Sequence, residues 1–569
     1  MKFIKSLYHK ILNRVVTAVL RLYHRIVPVS SSAEQLDFIK HNAAFWKRYF
    51  PVGQPGENCG YILVIDEKHP VTSLSIASFA YIVAQTKKLK LLFVSRLLRD
   101  DAKIRLFSSY PVSVSFLYLR GWRYLVMRIL ARAAAAKAYR SIRTPQELLE
   151  FKVDGIRFGD VLYDAVLAEG YATIDVIDHR LLRKLRQFYF FRYCVKDVIK
   201  RYDVQTSVLG HIVGLFGSVF SRYLLQHGIE VLNRVGSHQI VVKKYHKLEE
   251  LGVYTGKLER KYFKLMMEND DGTIVRFTDE YFERRVNREV EDHDAALAYS
   301  HQKKTFTEKQ SFCAEYNLDR TKPIVFVMLH AFNDFPHSHF SKPMIFQDYY
   351  HWFLHTLEIA QAVKTVNWIF KEHPAARYYP TKDVDIEEIF ERIEFDHIRF
   401  LNSEANFNSH SVQYLAKALI TCIGTAGLEH ALVGIPCVLA GESPYSGFGF
   451  TVEPNNAQEY RNCLENIGQL PPLSDMQVKA AKIVAYFFFC LYNEGVNYFF
   501  CPQISYKAIY GWNDTYNRQF WKRASAQFQD EEHVEKMKNQ VKELSRFILD
   551  DSWTQYFDMG LLKLSKVIV

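Results

Sequence analysis

A short turn with two glycines is the clearest candidate phosphate site in the sequence. Gly424, Thr425 and Gly427 follow an apolar run and begin a predicted helix. Glycine lets the backbone approach a ligand closely, the start of a helix offers unpaired N–H groups, and Thr425 adds a hydroxyl donor. Glu429 lies one turn into the helix, where its carboxylate could accept hydrogen bonds from ribose. The pattern predicts nucleotide binding; the alternative is a structural turn with Glu429 as a favourable first-turn charge.

A second group of candidate phosphate ligands follows the apolar run 366–370. Pro374 ends this predicted strand and favours an extended backbone at His373. Lys371 and His373 can both donate hydrogen bonds to a phosphate. The alternative is a plain strand exit with solvated charges, and the turn at 424–427 on the same predicted sheet edge favours binding.

His330 and Asp334 are the candidate catalytic residues. They follow the buried run 323–329, and a histidine oriented by a carboxylate can act as a general base. The spacing of the histidines between 330 and 339 matches no zinc pattern, so we predict no metal here. The alternative is a loop held by local Asn and Asp hydrogen bonds.

Three further segments are weaker candidates. The glycine- and aromatic-rich loop 441–450 contains Tyr445, which could contact a base or a sugar. Residues 66–69 and 210–211 each follow a predicted strand in the first half of the chain. We expect those two segments on the acceptor side of a cleft.

The elements that would position these residues alternate between strand and helix in both halves of the chain. Apolar runs at 61–65, 91–94, 207–209 and 229–232, and again between 323 and 439, predict strands. Such alternation indicates an α/β fold with parallel sheets, here two Rossmann-like domains facing a cleft. Ligands of open parallel sheets bind beyond the carboxyl ends of the strands, where the candidate residues fall.

The predicted domain organisation has four parts, listed here by residue number: a basic amphipathic helix at 1–30, a Rossmann-like acceptor domain at 31–300, a Rossmann-like nucleotide-binding domain at 301–520 and a helical segment at 521–569. The stretch from about 235 to 320 has poor strand signals. We expect linking helices there, including one at 280–299.

Two stretches are strongly basic. Residues 1–27 contain six Lys and Arg and no acid, and helical spacing puts their apolar and basic residues on opposite sides. This pattern predicts a helix lying in an anionic membrane interface; the alternative is a helix docked on its own domain. For the predicted helix at 120–143 we favour a solvated basic face over contact with a membrane or an anionic acceptor.

Composition narrows the class of protein. A hydrophobic fraction of 49% and a charged fraction of 24% exclude disorder as the main state. The formal charge of +11 suits an anionic partner, but no nucleic-acid-binding motif accompanies it. The eight cysteines form no CxxC pair, and we see no secretory signal or apolar run long enough to span a bilayer. We therefore expect free thiols and a cytoplasmic protein, peripheral to the inner face of the cell membrane.

Several of these motifs resemble a known family. KEHP at 371–374, Ser409 and Ser411, GTAGLEHALVGIP at 424–436 and AGESPYSGFGFT at 440–451 resemble the bacterial capsule polysaccharide biosynthesis family, which includes Kdo transferases of the GT-B type. The resemblance implies that His373 meets the donor phosphate or nucleotide. It implies that Gly424, Thr425 and Gly427 cradle phosphate, that Glu429 holds ribose, and that Ser411 belongs to the same binding set.

The resulting expectation is a glycosyltransferase. It would move a sugar from a nucleotide-sugar donor, with a CMP-sugar slightly favoured, to a capsule or lipopolysaccharide glycan or glycolipid acceptor. We predict no metal and no other cofactor, since lysine, histidine and helix dipole would stabilise the leaving phosphate. The alternatives are a teichoic-acid-like polyol-phosphate transferase and a non-catalytic, membrane-docked assembly protein.

Overall fold

The chain forms two compact units in the computed structural model. The first comprises residues 1–120, 498–504 and 511–551, and the second residues 121–497, 505–510 and 552–569. The structure describes residues 31–51, 59–65, 67, 69–95, 100–235, 240–252, 256–290, 292–337, 344–491, 498 and 513–557. The amphipathic helix predicted at 1–30 lies outside these ranges, and the predicted boundaries at 300 and 520 stay predictions.

The first unit contains parallel strands alternating with helices. β1 pairs with β2 and β2 with β3, all in parallel. Valine, isoleucine, leucine and phenylalanine dominate the first two strands, which are almost wholly buried. The elements in this part are α1 (Ala33–Tyr49), β1 (Tyr61–Ile65), α2 (Pro70–Lys87), β2 (Lys90–Ser95), α3 (Asp101–Ser108) and β3 (Val114–Tyr118).

The second unit begins with helices and a short antiparallel strand pair, β4 and β5, and continues into three longer strands. β6 and β7 are parallel, and β8 returns antiparallel to β7. The elements are α4 (Trp122–Ser141), α5 (Pro145–Leu149), β4 (Lys152–Val153), β5 (Ile156–Arg157), α6 (Gly159–Leu167), α7 (His179–Arg201), β6 (Val204–Leu209), α8 (Gly214–Gln226), β7 (Glu230–Val235) and β8 (Val241–Tyr245).

The linking region differs from its prediction in two places. Strand β8 lies where only helices were expected, because its two lysines, Lys243 and Lys244, hide the strand signal although both are buried. The helix expected at 280–299 is two helices, interrupted at Arg288, whose φ of 61° is left-handed. The helices here are α9 (Arg260–Asn269), α10 (Thr273–Val286), α11 (His293–Ala298) and α12 (Lys309–Glu315).

A second sheet of six parallel strands follows, in the order β11-β10-β9-β12-β13-β14. The chain builds outward from β9 to β11 on one side, then returns to place β12 on the other side of β9. The elements are β9 (Ile324–Met328), α13 (Tyr349–Ala362), β10 (Asn367–Lys371), α14 (Ile386–Glu391), β11 (Ile398–Leu401), α15 (Val412–Leu415), β12 (Ala416–Thr421), α16 (Ala426–Ala431), β13 (Cys437–Leu439), β14 (Thr451–Val452), α17 (Ala457–Glu465) and α18 (Asp475–Ala485).

The last elements of the chain are divided between the two units. In the first unit α19 (Asp514–Ala526) packs on α1 and α20 (Glu531–Leu549) packs on α2, whereas β15 (Gln555–Tyr556) pairs antiparallel with β8 in the second unit. The predicted α/β class with parallel sheets is confirmed. Across the described ranges, no helix has the length and apolar character needed to cross a bilayer. The seven cysteines there are free thiols.

Candidate nucleotide site

The three predicted clusters meet at the carboxyl edge of the second sheet. β9 lies between β10 and β12, with Lys371 in register with Met328 and Ile420 in register with Val327. The change of direction on either side of β9 leaves a crevice beyond the strand ends. The crevice is a partly open pocket with a cavity volume of about 80 Å³.

Predicted and unpredicted residues line this pocket together. Those predicted are His330, Lys371, His373, Pro374, Gly424, Thr425 and Glu429. Further lining residues include Arg285, Tyr299, Ser409, Thr421 and His430. His373 and the turn at 424–427 thus lie at the same pocket, as expected from the sequence.

Lys371 is a buried cation without a counter-ion. It ends β10 with only 8% of its surface exposed, and within the described residues its ammonium group forms no hydrogen bond and no ion pair. Burial, helped by the charge of Lys303, lowers the pKa of Lys371 to about 8. The nearby carboxylates of Glu372 and Glu429 oppose this shift but form no ion pair with Lys371, so its buried ammonium group can pair with an anion in the pocket.

The turn after β12 presents backbone donors to the same pocket. Within the described part of the chain, the N–H groups of Thr425 and Ala426 have no partner, because the hydrogen bonds of the turn begin at Gly427. Gly427 itself lies beneath the turn, where an added Cβ would be 2.3 Å from the hydroxyl oxygen of Tyr445. Gly427 therefore permits close packing under the turn and does not line the pocket.

Tyr445 has a different place from the predicted one. It is 1% exposed, and its hydroxyl donates a 2.5 Å hydrogen bond to the carbonyl oxygen of Gly424. Because it packs under the turn and does not line the pocket, it supports the turn from below. The predicted contact with base or sugar would require Tyr445 to leave this position.

His373 is held in a defined tautomer. Its Nδ1 accepts a 3.2 Å hydrogen bond from the N–H of Ala375. The proton of the neutral ring is therefore on Nε2, the atom suited to donate to a phosphate oxygen. Pro374 lines the pocket beside it.

His330 is neutral and already engaged. Burial and the nearby His373 lower the pKa of His330 to about 3. Its Nε2 lies 3.2 Å from the backbone nitrogen of Ile423, which donates to it, and 3.1 Å from the hydroxyl oxygen of Thr421. Action as a general base would require Nε2 to release that bond.

Asp334 is exposed and is not among the residues that line the pocket, so the structure does not bring the predicted catalytic pair together there. The catalytic roles of His330 and Asp334 stay predictions.

Glu429 belongs to a buried ion-pair network. Its Oε1 accepts hydrogen bonds from Nε and Nη2 of Arg285, at 3.1 and 2.9 Å, and its Oε2 accepts one from the hydroxyl of Tyr299 at 2.5 Å. Arg285 also pairs with Asp292 at 2.6 Å. Burial alone would lower the pKa of Arg285, but the two carboxylates outweigh burial and raise it. The predicted contact of Glu429 with ribose stays a prediction.

Ser411 lies away from the pocket. It directly precedes α15 (Val412–Leu415), and β12 begins at Ala416. The fully buried Ser411 accepts a 2.9 Å hydrogen bond from the N–H of Phe306, which anchors the chain that enters the sheet. Ser409, from the same motif, is the serine that lines the pocket.

Sequence reasoning missed four residues of the pocket, Arg285, Tyr299, Thr421 and His430. The Nδ1 of His430 is buried without a hydrogen-bond partner in the described structure, and burial lowers the pKa of this histidine to about 4. His430 directly follows Glu429, so the motif contained a signal for it. Arg285 and Tyr299 lie in the linking helices and had no local signal.

The remaining candidates of the first half that the structure describes do not line this pocket. Gly210 and His211 follow β6 in the second unit, as expected from the sequence. Asp66 and Lys68 lie outside the described residues.

Comparison with known proteins finds similarity at the level of solved structures. No family model and no curated protein matches the chain. A Kdo transferase, KpsC of Thermosulfurimonas dismutans, is 9% identical, with a TM-score of 0.29, over 50% of this chain and 79% of that one. A glycosyltransferase of Rickettsia africae is 10% identical, with a TM-score of 0.23, over 83% of this chain and 100% of that one.

A third similar structure is HepE of Anabaena in complex with UDP-glucose. It is 11% identical, with a TM-score of 0.24, over 85% of this chain and 98% of that one. Solved glycosyltransferases, including a Kdo transferase, are thus among the structures that this chain resembles. Sequence identities and TM-scores this low do not assign an activity to this chain. A function therefore has to be inferred from the geometry of its pocket.

Proposed function

We propose that the protein is a glycosyltransferase of the GT-B type that uses a nucleotide-sugar donor. The observation that supports this most directly is the ammonium group of Lys371, buried and without a counter-ion in a pocket at the edge of a parallel sheet. The Nε2–H of His373 and the N–H groups of Thr425 and Ala426 add neutral donors. Together they fit a phosphate or diphosphate.

The same groups would favour departure of the nucleotide. Negative charge grows on the leaving phosphate as the glycosidic bond breaks, and fixed donors in a partly buried pocket stabilise that charge. If the reaction inverts the anomeric centre, a base must activate the acceptor hydroxyl, and His330 and Asp334 are the residues to test. We favour a CMP-sugar as donor and a capsule or lipopolysaccharide glycan as acceptor, on the basis of the motif resemblance.

Thermal stabilisation by nucleotides tests the donor site. The purified full chain is heated with CMP, UDP, GDP, the corresponding nucleotide sugars and CDP-glycerol, and donor hydrolysis is measured in parallel. We expect a nucleotide sugar to raise the melting temperature and to be hydrolysed slowly. Preference for CDP-glycerol would instead indicate a polyol-phosphate transferase, and no stabilisation by any compound would contradict the proposal.

Two lysine variants make that experiment specific. Lys371→Met should abolish the stabilisation, because the buried ammonium group of the described pocket that has no direct ion pair is lost. Lys243→Met is the matched control: Lys243 is also buried and burial also lowers its pKa to about 8, but it lies outside the pocket. Equal loss in both variants would mean that burial of a lysine, not the pocket, explains the effect.

We further propose that the protein works at the cytoplasmic face of a membrane, held there by residues 1–27. The support is the sequence pattern alone, six cations and no acid with apolar residues at helical spacing. This location would suit an acceptor that is a membrane-bound glycolipid.

A further inference from the structure

Helix α4 presents a stripe of large apolar side chains to solvent. Their positions follow the i, i+3, i+4, i+7, i+8 spacing of one helix face. The exposed fractions are 77% for Trp122, 47% for Leu125, 37% for Val126, 54% for Ile129 and 51% for Leu130. Single exposed apolar residues are ordinary, but five on one face of two turns form a patch that calls for a partner.

The opposite face of α4 is already packed. Its buried residues are small apart from one tyrosine, namely Tyr124, Ala131, Ala135 and Ala138, and α4 packs closely on α7. Arg123 pairs with Asp197 of α7, and the guanidinium of Arg128 lies 4.1 Å from the ring centroid of Phe190. The helix is therefore fixed to its unit by one face, and the apolar stripe is left on the other.

Charge distinguishes the possible partners of this stripe. Helix α4 contains five cations and no acid: Arg123, Arg128, Arg132, Lys137 and Arg140, all exposed. Two copies of the chain joined through this face would bring two such helices together. Residues 1–27 contain six Lys and Arg and no Asp or Glu, so the positive charge of α4 would repel them as well. An anionic surface complements the helix.

We propose that α4 docks on a bilayer containing anionic lipids. The apolar stripe enters the boundary between headgroups and acyl chains, and Arg132, Lys137 and Arg140 contact lipid phosphates. Trp122, at the start of the helix, has the amphipathic ring that favours this depth. This inference does not depend on the transferase activity proposed above.

Vesicle binding by the full chain tests the docking. Sedimentation with phosphatidylcholine vesicles is compared with sedimentation when one quarter of the lipid is phosphatidylglycerol. We expect binding to the anionic vesicles and a loss of at least about tenfold in Ile129→Gln/Leu130→Gln, since apolar area no longer enters the interface. Met476→Gln, at a residue that is 65% exposed on α18, is the matched control and should bind normally.

Fluorescence locates the contact on α4. Brominated lipids quench tryptophan within the interface, and residues 1–27 contain no tryptophan. We expect quenching in the native chain that Trp122→Phe removes. Equal vesicle binding by native chain and Ile129→Gln/Leu130→Gln, or quenching that persists in Trp122→Phe, would overturn the proposal. So would a native dimer that the double substitution converts to a monomer without any lipid binding in either.

Discussion

The ammonium group of Lys371 determines the pH dependence that we expect of nucleotide binding. Burial lowers its pKa to about 8 in the free pocket, and a bound phosphate would raise that pKa again. Binding therefore needs a proton that the free protein loses above about pH 8. We expect the Kd of the preferred nucleotide to be flat just below this pH and to rise up to about tenfold per pH unit above it. Isothermal titration calorimetry measures this profile.

Lys371→Arg is the control for that profile. A guanidinium stays protonated throughout this range, so the rise in Kd above pH 8 should disappear even if affinity is lower overall. The same rise in Lys371→Arg would show that another group titrates.

Glu429 should matter for stability as well as for any contact with ribose. Removing its carboxylate in Glu429→Ala leaves the buried Arg285 with Asp292 alone and Tyr299 without an acceptor. We expect a loss of about 3 kcal/mol in the free energy of unfolding, measured with urea. Glu358→Ala breaks an exposed glutamate–arginine pair with Arg461 and should cost about 1 kcal/mol or less. Similar losses in both would contradict a stabilising network.

Local motifs predicted much of the pocket at the level of single residues. His373, Lys371 and the turn around Gly424 follow strands and contain the residue types that bind phosphate, so spacing was sufficient. Arg285 was not predictable because its partner Glu429 is 144 positions away, and only the fold brings them together. The position of Tyr445 beneath the turn was not predictable for a related reason: nothing in its loop distinguishes a side chain under a turn from one above it.

The strand–turn–helix unit formed by β12 and α16 depends on packing beneath the turn. An added Cβ at Gly427 would be 2.3 Å from the Tyr445 hydroxyl oxygen and 2.9 Å from Cys437 Sγ. We expect Gly427→Ala to cost about 1–3 kcal/mol of stability and to weaken nucleotide stabilisation, because the turn must shift. Thermal and urea unfolding with and without nucleotide measure both effects.

A double-mutant cycle tests that cause. Tyr445→Leu removes the crowding hydroxyl, so Gly427→Ala/Tyr445→Leu should be more stable than the sum of the two single losses predicts. If the stability losses of the two single variants simply add, crowding against the Tyr445 hydroxyl does not cause the loss in Gly427→Ala.

Helices and strands were predictable where the hydrophobic pattern of the sequence agrees with the burial of the residues in the structure. β9 and β10 are continuous apolar runs, and the sheet they form was expected from the alternation of strands and helices. β8 was missed because Lys243 and Lys244 stand within VVKKY, and the sequence does not show that antiparallel pairing with β7 buries their stems. The break near Arg288 was missed because no proline or glycine marks it.

At the scale of the whole molecule, the charge of +11 is concentrated in two stretches that we expect to meet the same anionic surface. One weak membrane contact binds reversibly, whereas two contacts on one chain reinforce each other. Charge attraction is screened as salt rises, but insertion of the apolar stripe of α4 is not. Vesicle binding should therefore fall with salt to a plateau, and the plateau should vanish in Ile129→Gln/Leu130→Gln.

Reversal of charge in the first stretch separates the two contacts. In the full chain, Lys10→Glu/Arg14→Glu/Arg21→Glu should lower vesicle affinity at low salt. The three cations are predicted to face lipid phosphates, and those phosphates would repel the glutamates that replace them. Quenching of Trp122 by brominated lipid, measured at saturating vesicle concentration, should persist, since α4 docks through its own stripe. If the reversal abolishes that quenching at every vesicle concentration, α4 makes no contact of its own and residues 1–27 account for all of the binding.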